Sequence, residues 1–206
     1  MTRKDGRSKL LDAALALIRE KGYAATSVEE LCQRAGVTKG AFFHHFRSKE
    51  DLAVAAASHF GDMADGLFAA APFHALPTAR ERILGYVGFR REILAGEIPD
   101  YTCLLGTMVQ ETYASHPAIR KACEAELLRH TATLEPDLAT ALAASGRVGA
   151  AWSAAGLSLH IQGALQGAFI LAKATGSAEI ARESLGHLLR YLETVLSTGS
   201  EKGAVP

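Results

Sequence analysis

The stretch that decides the fold runs from residue 26 to residue 52 and reads TSVEELCQRAGVTKGAFFHHFRSKEDL. Ser27 and Glu30 have the spacing of a capping box, in which each side chain binds a free N–H at the start of a helix. Gly36 can end that helix because glycine readily takes the left-handed conformation. A second cap, Thr38, then starts a helix that reaches Phe46. We therefore predict two short helices joined by a tight turn.

The second of these helices has two different sides. Phe42 and Phe46 lie four residues apart and so share one apolar side, which should pack inward. Gly40 and Ala41 near its start are small enough to let the backbone approach another molecule closely. A rigid pair of this kind is a helix-turn-helix, whose second helix enters the major groove of DNA. The motif is predicted at about 28–47, with residues 38–46 as the recognition helix.

The rest of the chain also has helical patterning, and strand signals are nearly absent. Leu11, Leu15 and Ile18 give a first amphipathic helix that ends at Gly22. Ser48 opens a long fourth helix. Five more helices are expected at about 78–95, 101–114, 117–145, 148–174 and 178–197, with Pro136 kinking or splitting the third of them. The prediction is an all-α chain of about nine helices, divided into 5–65, 66–197 and a flexible tail at 198–206.

Charge and composition limit the possible partners and compartments. The formal net charge is zero, but residues 1–52 carry +3 and the remainder −3. The basic excess is compatible with an anionic partner or with an ordinary solvated surface. The three cysteines have no close spacing, so neither a disulfide framework nor a zinc site is expected. We expect no signal peptide, no membrane span and no cofactor, and we expect a cytoplasmic location.

A set of short motifs extends the helix-turn-helix in both directions. They are Ala13-Ala14, Lys21-Gly22-Tyr23, Thr26-Ser27-Val28, Ala35-Gly36-Val37-Thr38-Lys39-Gly40, His45-Phe46, Ser48-Lys49-Glu50 and Leu52. In order and spacing, about 45 contiguous residues closely resemble the TetR family of repressors, of the TetR/AcrR type. The resemblance implies a three-helix DNA-binding domain followed by a helical domain for effector binding and dimerisation.

The resemblance implies DNA contacts at nine positions. They are Thr26, Ser27, Thr38, Lys39, Gly40, Ala41, Phe43, His44 and Lys49. Ser27 or Thr26 would anchor a phosphate, and Lys49 would neutralise another. The family usually has tyrosine where this chain has Phe43, so a phosphate hydrogen bond is missing here. Lys39 and His44 are the candidates for reading bases, since lysine can donate to guanine.

The resemblance also implies a small-molecule pocket and a homodimer built from the last two helices. Two patterns support the dimer, namely an apolar stripe (Leu185, Leu188, Leu189, Leu192 and Leu196) and a line of small residues (Gly156, Gly163 and Gly167). The candidates for the pocket are polar or aromatic residues inside apolar helices: Phe89, Cys103, Met108, Tyr113, Trp152, His160, Gln166 and Phe169. Such a lining favours a small hydrophobic or aromatic effector.

The predicted function is a ligand-responsive transcriptional regulator, a repressor released from a palindromic operator by its effector. The chain has no nucleophile elbow, no glycine-rich phosphate loop and no metal-ligand cluster, so it is not expected to be an enzyme. Three alternatives remain open at this point. They are a thiol enzyme using Cys103 with His116 or His160, an architectural DNA-binding protein without an effector, and an electrophile sensor at Cys103.

Overall fold

The computed structural model describes residues 5–147 and 152–197, and every regular element in those two ranges is helical. The prediction of an all-α fold is therefore confirmed. The α-helices are α1 (Gly6–Lys21), α2 (Val28–Ala35), α3 (Lys39–His45), α4 (Lys49–Ala69), α5 (Ala79–Glu92), α6 (Ile98–Tyr101), α7 (Leu104–Thr112), α8 (Pro117–Ala132), α9 (Glu135–Ala144), α10 (Ala154–Thr175) and α11 (Ala178–Val195). A short 3₁₀ turn covers Pro72–Ala75.

The predicted helix starts are confirmed by their hydrogen bonds. At α2, the Glu30 N–H donates to Ser27 Oγ at 3.2 Å, and the Ser27 N–H donates back to Glu30 Oε2 at 2.9 Å. At α3, Thr38 Oγ1 accepts the Ala41 N–H at 3.1 Å. These caps act within three residues, which is why the sequence alone locates them.

The later helices differ from the prediction in detail. A break before Pro136 separates α8 from α9, as the proline predicts. The predicted helix at 101–114 begins only at Leu104, and Cys103 is its N-cap rather than part of its first turn. The predicted start at 148 and the predicted flexible tail at 198–206 lie outside the described residues, and α10 begins at Ala154.

Internal contacts divide the chain into two compact units. The first unit contains the chain up to Gly66 together with Thr102–Leu128, and the second contains Leu67–Tyr101 and the chain from Arg129 onward. The first break falls next to the predicted boundary at residue 65. The grouping of 102–128 with the N-terminal helices was not part of the predicted division, since nothing in the local sequence indicates it.

The first unit has a core centred on α1, which packs against α2, α3 and α7. Leu10, Leu31 and Phe42 are each 0 % exposed at the centre of these contacts. Burial of side chains of this size stabilises the unit by roughly 1.5–3 kcal/mol each. The α3 helix is therefore fixed by a hydrophobic core and not only by its caps.

The second unit is a bundle in which α5 packs against α9 and α11, and α10 packs against α9 and α11. Within the described ranges, α10 alone is long and apolar enough to cross a membrane by length and composition. Its side chains Ile161, Leu165 and Ala168 are each 0 % exposed. These contacts account for the apolar side of α10 that packs within the unit, while Leu159 and Ile170 of the same helix are exposed.

Candidate nucleic-acid interface

The α3 helix presents one side to solvent and the other to the core. Phe42 is 0 % exposed and Phe46 is 3 % exposed, as their spacing predicts. The opposite side is exposed, with Phe43 at 53 %. We call this side the recognition surface; its exposed members are Thr38, Lys39, Gly40, Phe43 and His44, and Ala41 beside them is half-buried.

Aromatic contacts hold the recognition surface in place. The Phe42 ring meets the Phe43 ring edge-on at 5.1 Å between centroids and the Phe46 ring at 6.0 Å. The Arg7 guanidinium lies 5.5 Å from the centre of the Phe46 ring. The half-buried His45 packs its ring against that of His44 at 4.9 Å. The exposed side chains therefore project from a helix that cannot rotate without breaking its core contacts.

The two residues before α2 that are predicted to contact a phosphate differ in exposure. Thr26 is 1 % exposed, and its hydroxyl donates to the Gly22 carbonyl at 2.7 Å. Its side chain is thus not available to a phosphate in this structure. Ser27 is exposed, and its neighbour in the capping box, Glu30, has its pKa lowered to about 2 by hydrogen bonds from Lys21 and Ser27. The phosphate contact stays a prediction for Ser27 alone.

Lys49 has an internal role that the sequence did not suggest. Its Nζ donates to the carbonyl oxygens of Tyr23 and Thr26, both at 2.9 Å, and lies 4.2 Å from the centre of the Tyr23 ring. Burial lowers the pKa of the Lys49 ammonium, and the nearby Glu111 acts in the opposite direction. Two of its three N–H groups are used within the chain, so a phosphate contact by the third stays a prediction.

The loop between α1 and α2, which Lys49 contacts, also contacts Glu111 of α7. Glu111 Oε2 accepts the Ala24 N–H at 2.8 Å, and the Tyr23 ring meets the His116 ring edge-on at 5.2 Å. Gly22 has φ +91°, and a Cβ there would collide with the Glu111 carboxylate. The backbone conformation at this position favours glycine, and a larger residue would also have to displace the Glu111 carboxylate. The loop between α1 and α2 is therefore fixed by contacts distant in sequence.

Lys49→Met should lower the free energy of unfolding by about 1–3 kcal/mol, because two carbonyl groups lose their charged donor. The matched control is Lys39→Met, which removes the same charge from the exposed recognition surface and should change stability by less than about 0.5 kcal/mol. Urea denaturation followed by circular dichroism measures both. Equal stability of the two variants would show that the Lys49 hydrogen bonds contribute nothing.

The eight candidates for an effector pocket are divided between the two compact units. Cys103, Met108 and Tyr113 belong to the first unit, and Tyr113 is 65 % exposed. The other five belong to the second unit. Among these, His160 is exposed and packs on Tyr191, while Phe169 is buried beneath the Arg90 guanidinium. An effector site at these residues stays a prediction.

The described contacts of Cys103 and His116, two residues considered for thiol chemistry, are with other groups, and electrophile sensing at Cys103 stays a prediction. Cys103 is buried at the N-cap of α7, where its sulfur accepts the Gly106 N–H at 3.4 Å. His116 contacts Tyr23 and Ser115. Burial raises the pKa of the third thiol, Cys123, to about 12, which keeps it protonated. Across 5–147 and 152–197, no group of histidine, cysteine and carboxylate side chains could hold a metal ion.

Comparison with known proteins agrees with this geometry. The profile of the family described as "Bacterial regulatory proteins, tetR family" matches residues 10–56, which include α2 and α3. The crystal structure of regulatory protein TetR from Rhodobacter sphaeroides superposes with a TM-score of 0.74 at 26 % identity, covering 91 % of this chain and 97 % of that one. The N-terminal part of this chain, residues 10–56, thus resembles the DNA-binding part of the TetR family. The family consists of transcriptional regulators and not of enzymes, as the sequence resemblance implied.

The curated regulators that are similar to this chain align with only part of it. The HTH-type transcriptional regulator BetI of Rhizobium meliloti (strain 1021) is 37 % identical over 92 residues, which are 44 % of this chain and 45 % of BetI. The HTH-type transcriptional repressor KstR2 of Rhodococcus jostii (strain RHA1) is 44 % identical over 46 residues, or 22 % of each chain. The aligned part spans less than half the length of these curated relatives.

Proposed function

We propose that the chain is a homodimeric transcriptional repressor that binds a palindromic operator and releases it when a small effector binds. One observation supports the DNA-binding part above all others. The recognition surface combines a cation, a histidine, small residues and an exposed aromatic ring on a helix whose other side is locked into a core. Small residues allow close approach to the groove, and Lys39 can donate to guanine or phosphate.

The proposed dimer surface lies on the last two helices. On α10, Leu159 and Ile170 are about half exposed, and open space adjoins Gly163 and Gly167 between them. These four residues share one side of the helix. On α11, Tyr191 is 40 % exposed and contacts His160 of α10. We call this surface the α10–α11 face; exposed leucine and isoleucine beside open glycines suit close packing against a second copy.

Four of the five leucines in the stripe predicted for dimerisation are buried within the chain, and the fifth, Leu189, is half-buried. Leu185 and Leu192 are 0 % exposed, and Leu188 and Leu196 are 5 % and 1 % exposed, all within a single chain. The stripe holds α11 in the bundle of the second unit, because a helix must bury one apolar side inside its own domain. The proposed dimer therefore uses the opposite, exposed side of α11.

Repressor action and effector response complete the proposal. Effector binding would favour a form of the dimer whose recognition surfaces no longer match two half-sites, so that operator affinity falls. KstR2 of Rhodococcus jostii is named a transcriptional repressor, which supports the same output here. A soluble regulator of this kind would act in the cytoplasm.

Selection of bound DNA from a random pool tests the proposed function. We expect enrichment of a short palindrome with half-sites about one helical turn apart. A library of small molecules is then screened for release of that DNA. Binding without sequence preference, which weakens steeply with salt, would instead indicate an architectural protein.

Phe43→Tyr should preserve or strengthen operator affinity, because the added hydroxyl can donate to a DNA phosphate. The change keeps the ring and its contact with Phe42. Affinity is measured by fluorescence anisotropy at one fixed salt concentration. A loss of affinity in Phe43→Tyr would mean that α3 does not meet the groove with this side.

A further inference from the structure

The second unit contains a concentration of aromatic rings around α5. Its members are Phe68, Phe73, Tyr86, Phe89 and His130, and we call them the aromatic cluster. Neighbouring ring centroids are 4.9–6.1 Å apart. The polar groups inside it are satisfied, since Tyr86 Oη lies 2.8 Å from His130 Nε2. The aromatic cluster is thus a packed part of the core in which Tyr86 and His130 satisfy each other.

Arg90 stands at the edge of the aromatic cluster. Its guanidinium carbon lies 5.0 Å from the centre of the Phe68 ring and 5.5 Å from the centre of the Phe169 ring on α10. Such contacts with two ring faces orient a cation, but they give it no acceptor for its N–H groups. Both Arg90 and the neighbouring Phe89 are half-buried, so part of each side chain faces solvent.

Other arginines of the same unit have acceptors where Arg90 has none. Arg82 donates to both carboxylate oxygens of Asp137, at 2.9 and 2.5 Å, and Arg182 donates to Glu179 and to the Leu94 carbonyl. Among the residues that the structure describes, no carboxylate or carbonyl oxygen pairs with the Arg90 guanidinium. Its charge therefore lies against aromatic rings without a counter-ion from the described residues.

A second donor without an acceptor lies on the neighbouring helix. The Gln166 amide nitrogen is buried and has no hydrogen-bond partner among the described residues. Gln166 precedes Phe169 by three residues, so the two share one side of α10. Buried donors are nearly always paired in folded proteins. Gln166, on the same side of α10 as Phe169, and Arg90, over the Phe169 ring, thus both have N–H groups for which the described residues supply no acceptor.

We propose that the effector is an organic anion with an apolar, ring-containing body, bound by Arg90 and Gln166. Its carboxylate would accept two N–H groups of the guanidinium fork, an arrangement for which arginine is geometrically suited. Gln166 would donate to the same group, and the body of the ligand would lie on Phe89 and Phe169. This inference rests on the proposed function, in which the second unit binds a small effector.

Three probes with the same body and different charge test the proposal on the full-length protein. They are 4-phenylbutyrate, 4-phenylbutanamide and 4-phenylbutylamine, titrated calorimetrically. We expect the anion to bind about tenfold or more tightly than the amide, because a charge-assisted bidentate pair is lost in the amide. Arg90→Met keeps the length of the side chain and should reduce the affinity for the anion to that for the amide.

The matched control is Arg91→Met, which removes the same charge from the next, exposed position and should leave the affinity unchanged. The proposal is overturned if the amide or the amine binds as tightly as the anion, or if Arg90→Met binds the anion like the unchanged chain. Absence of binding by all three probes up to about 10 mM also overturns it. If the amide or the amine binds the protein and causes release of the operator, the effector is not an anion, but the proposed function is still supported.

Discussion

Phe42→Ala should unfold the helix-turn-helix and abolish operator binding. The Phe42 ring is 0 % exposed and touches both neighbouring phenylalanines of α3. Truncation of a buried phenylalanine to alanine costs about 3–5 kcal/mol, which is a large part of the stability of a small unit. Circular dichroism gives the unfolding free energy, and hydrogen exchange at residues 28–46 shows whether the loss is local. The single tryptophan, Trp152, belongs to the second unit and would not report it by fluorescence.

The adjacent residue provides the matched control. Phe43→Ala removes the same ring from a position that is 53 % exposed, so stability should change by no more than about 0.5 kcal/mol. Operator affinity should nevertheless fall, because Phe43 belongs to the recognition surface. If Phe43→Ala destabilised the fold as strongly as Phe42→Ala, the assignment of the two sides of α3 would be wrong.

Gly163→Arg should produce a folded monomer that binds the palindrome at least about 100-fold more weakly. The open space beside Gly163 accepts a side chain within one chain but not within a packed dimer face. Arginine is also a better helix former than glycine, so α10 itself should not be weakened. In a dimer, binding of one recognition helix raises the effective concentration of the second at its half-site. This linkage increases overall DNA affinity by factors of about 10²–10⁴, and a monomer loses it.

Ala139→Arg is the control for the added charge. Ala139 is exposed on α9, away from the α10–α11 face, so this variant should remain dimeric and keep its affinity. Light scattering after size exclusion gives the mass, and anisotropy gives the affinity for a whole palindrome and for a half-site. A Gly163→Arg variant that stays dimeric would exclude the α10–α11 face as the interface.

The parts of the fold that could be predicted are those determined by neighbours in sequence. The capping box at Ser27, the left-handed Gly36 and the break before Pro136 each act within three or four residues. The burial of Phe42 and Phe46 is predicted correctly because helical periodicity alone places these two residues on one side. The position and exposed side of the recognition helix follow from the same local rules.

The contacts that escaped prediction join residues far apart in the chain. Lys49 reaches the Tyr23 carbonyl across 26 residues, and Glu111 reaches the Ala24 N–H across 87. A sequence pattern carries no such distances, so it predicts a phosphate contact for Lys49 and not its internal hydrogen bonds. Arg90 was missed for the same reason, since its two aromatic partners lie on different helices. Periodicity shows the apolar side of α11 but not what covers it, and four of its five leucines are buried within the chain.

The central claim is that the exposed side of α3 reads the operator, and base preference tests it most directly. Bound DNA is selected from a random pool by the unchanged chain and by Lys39→Ala at the same salt concentration. We expect Lys39→Ala to relax the preference at one base pair in each half-site, with a loss of about 1–3 kcal/mol in discrimination there. Identical base preferences and affinities for the two proteins would contradict the account.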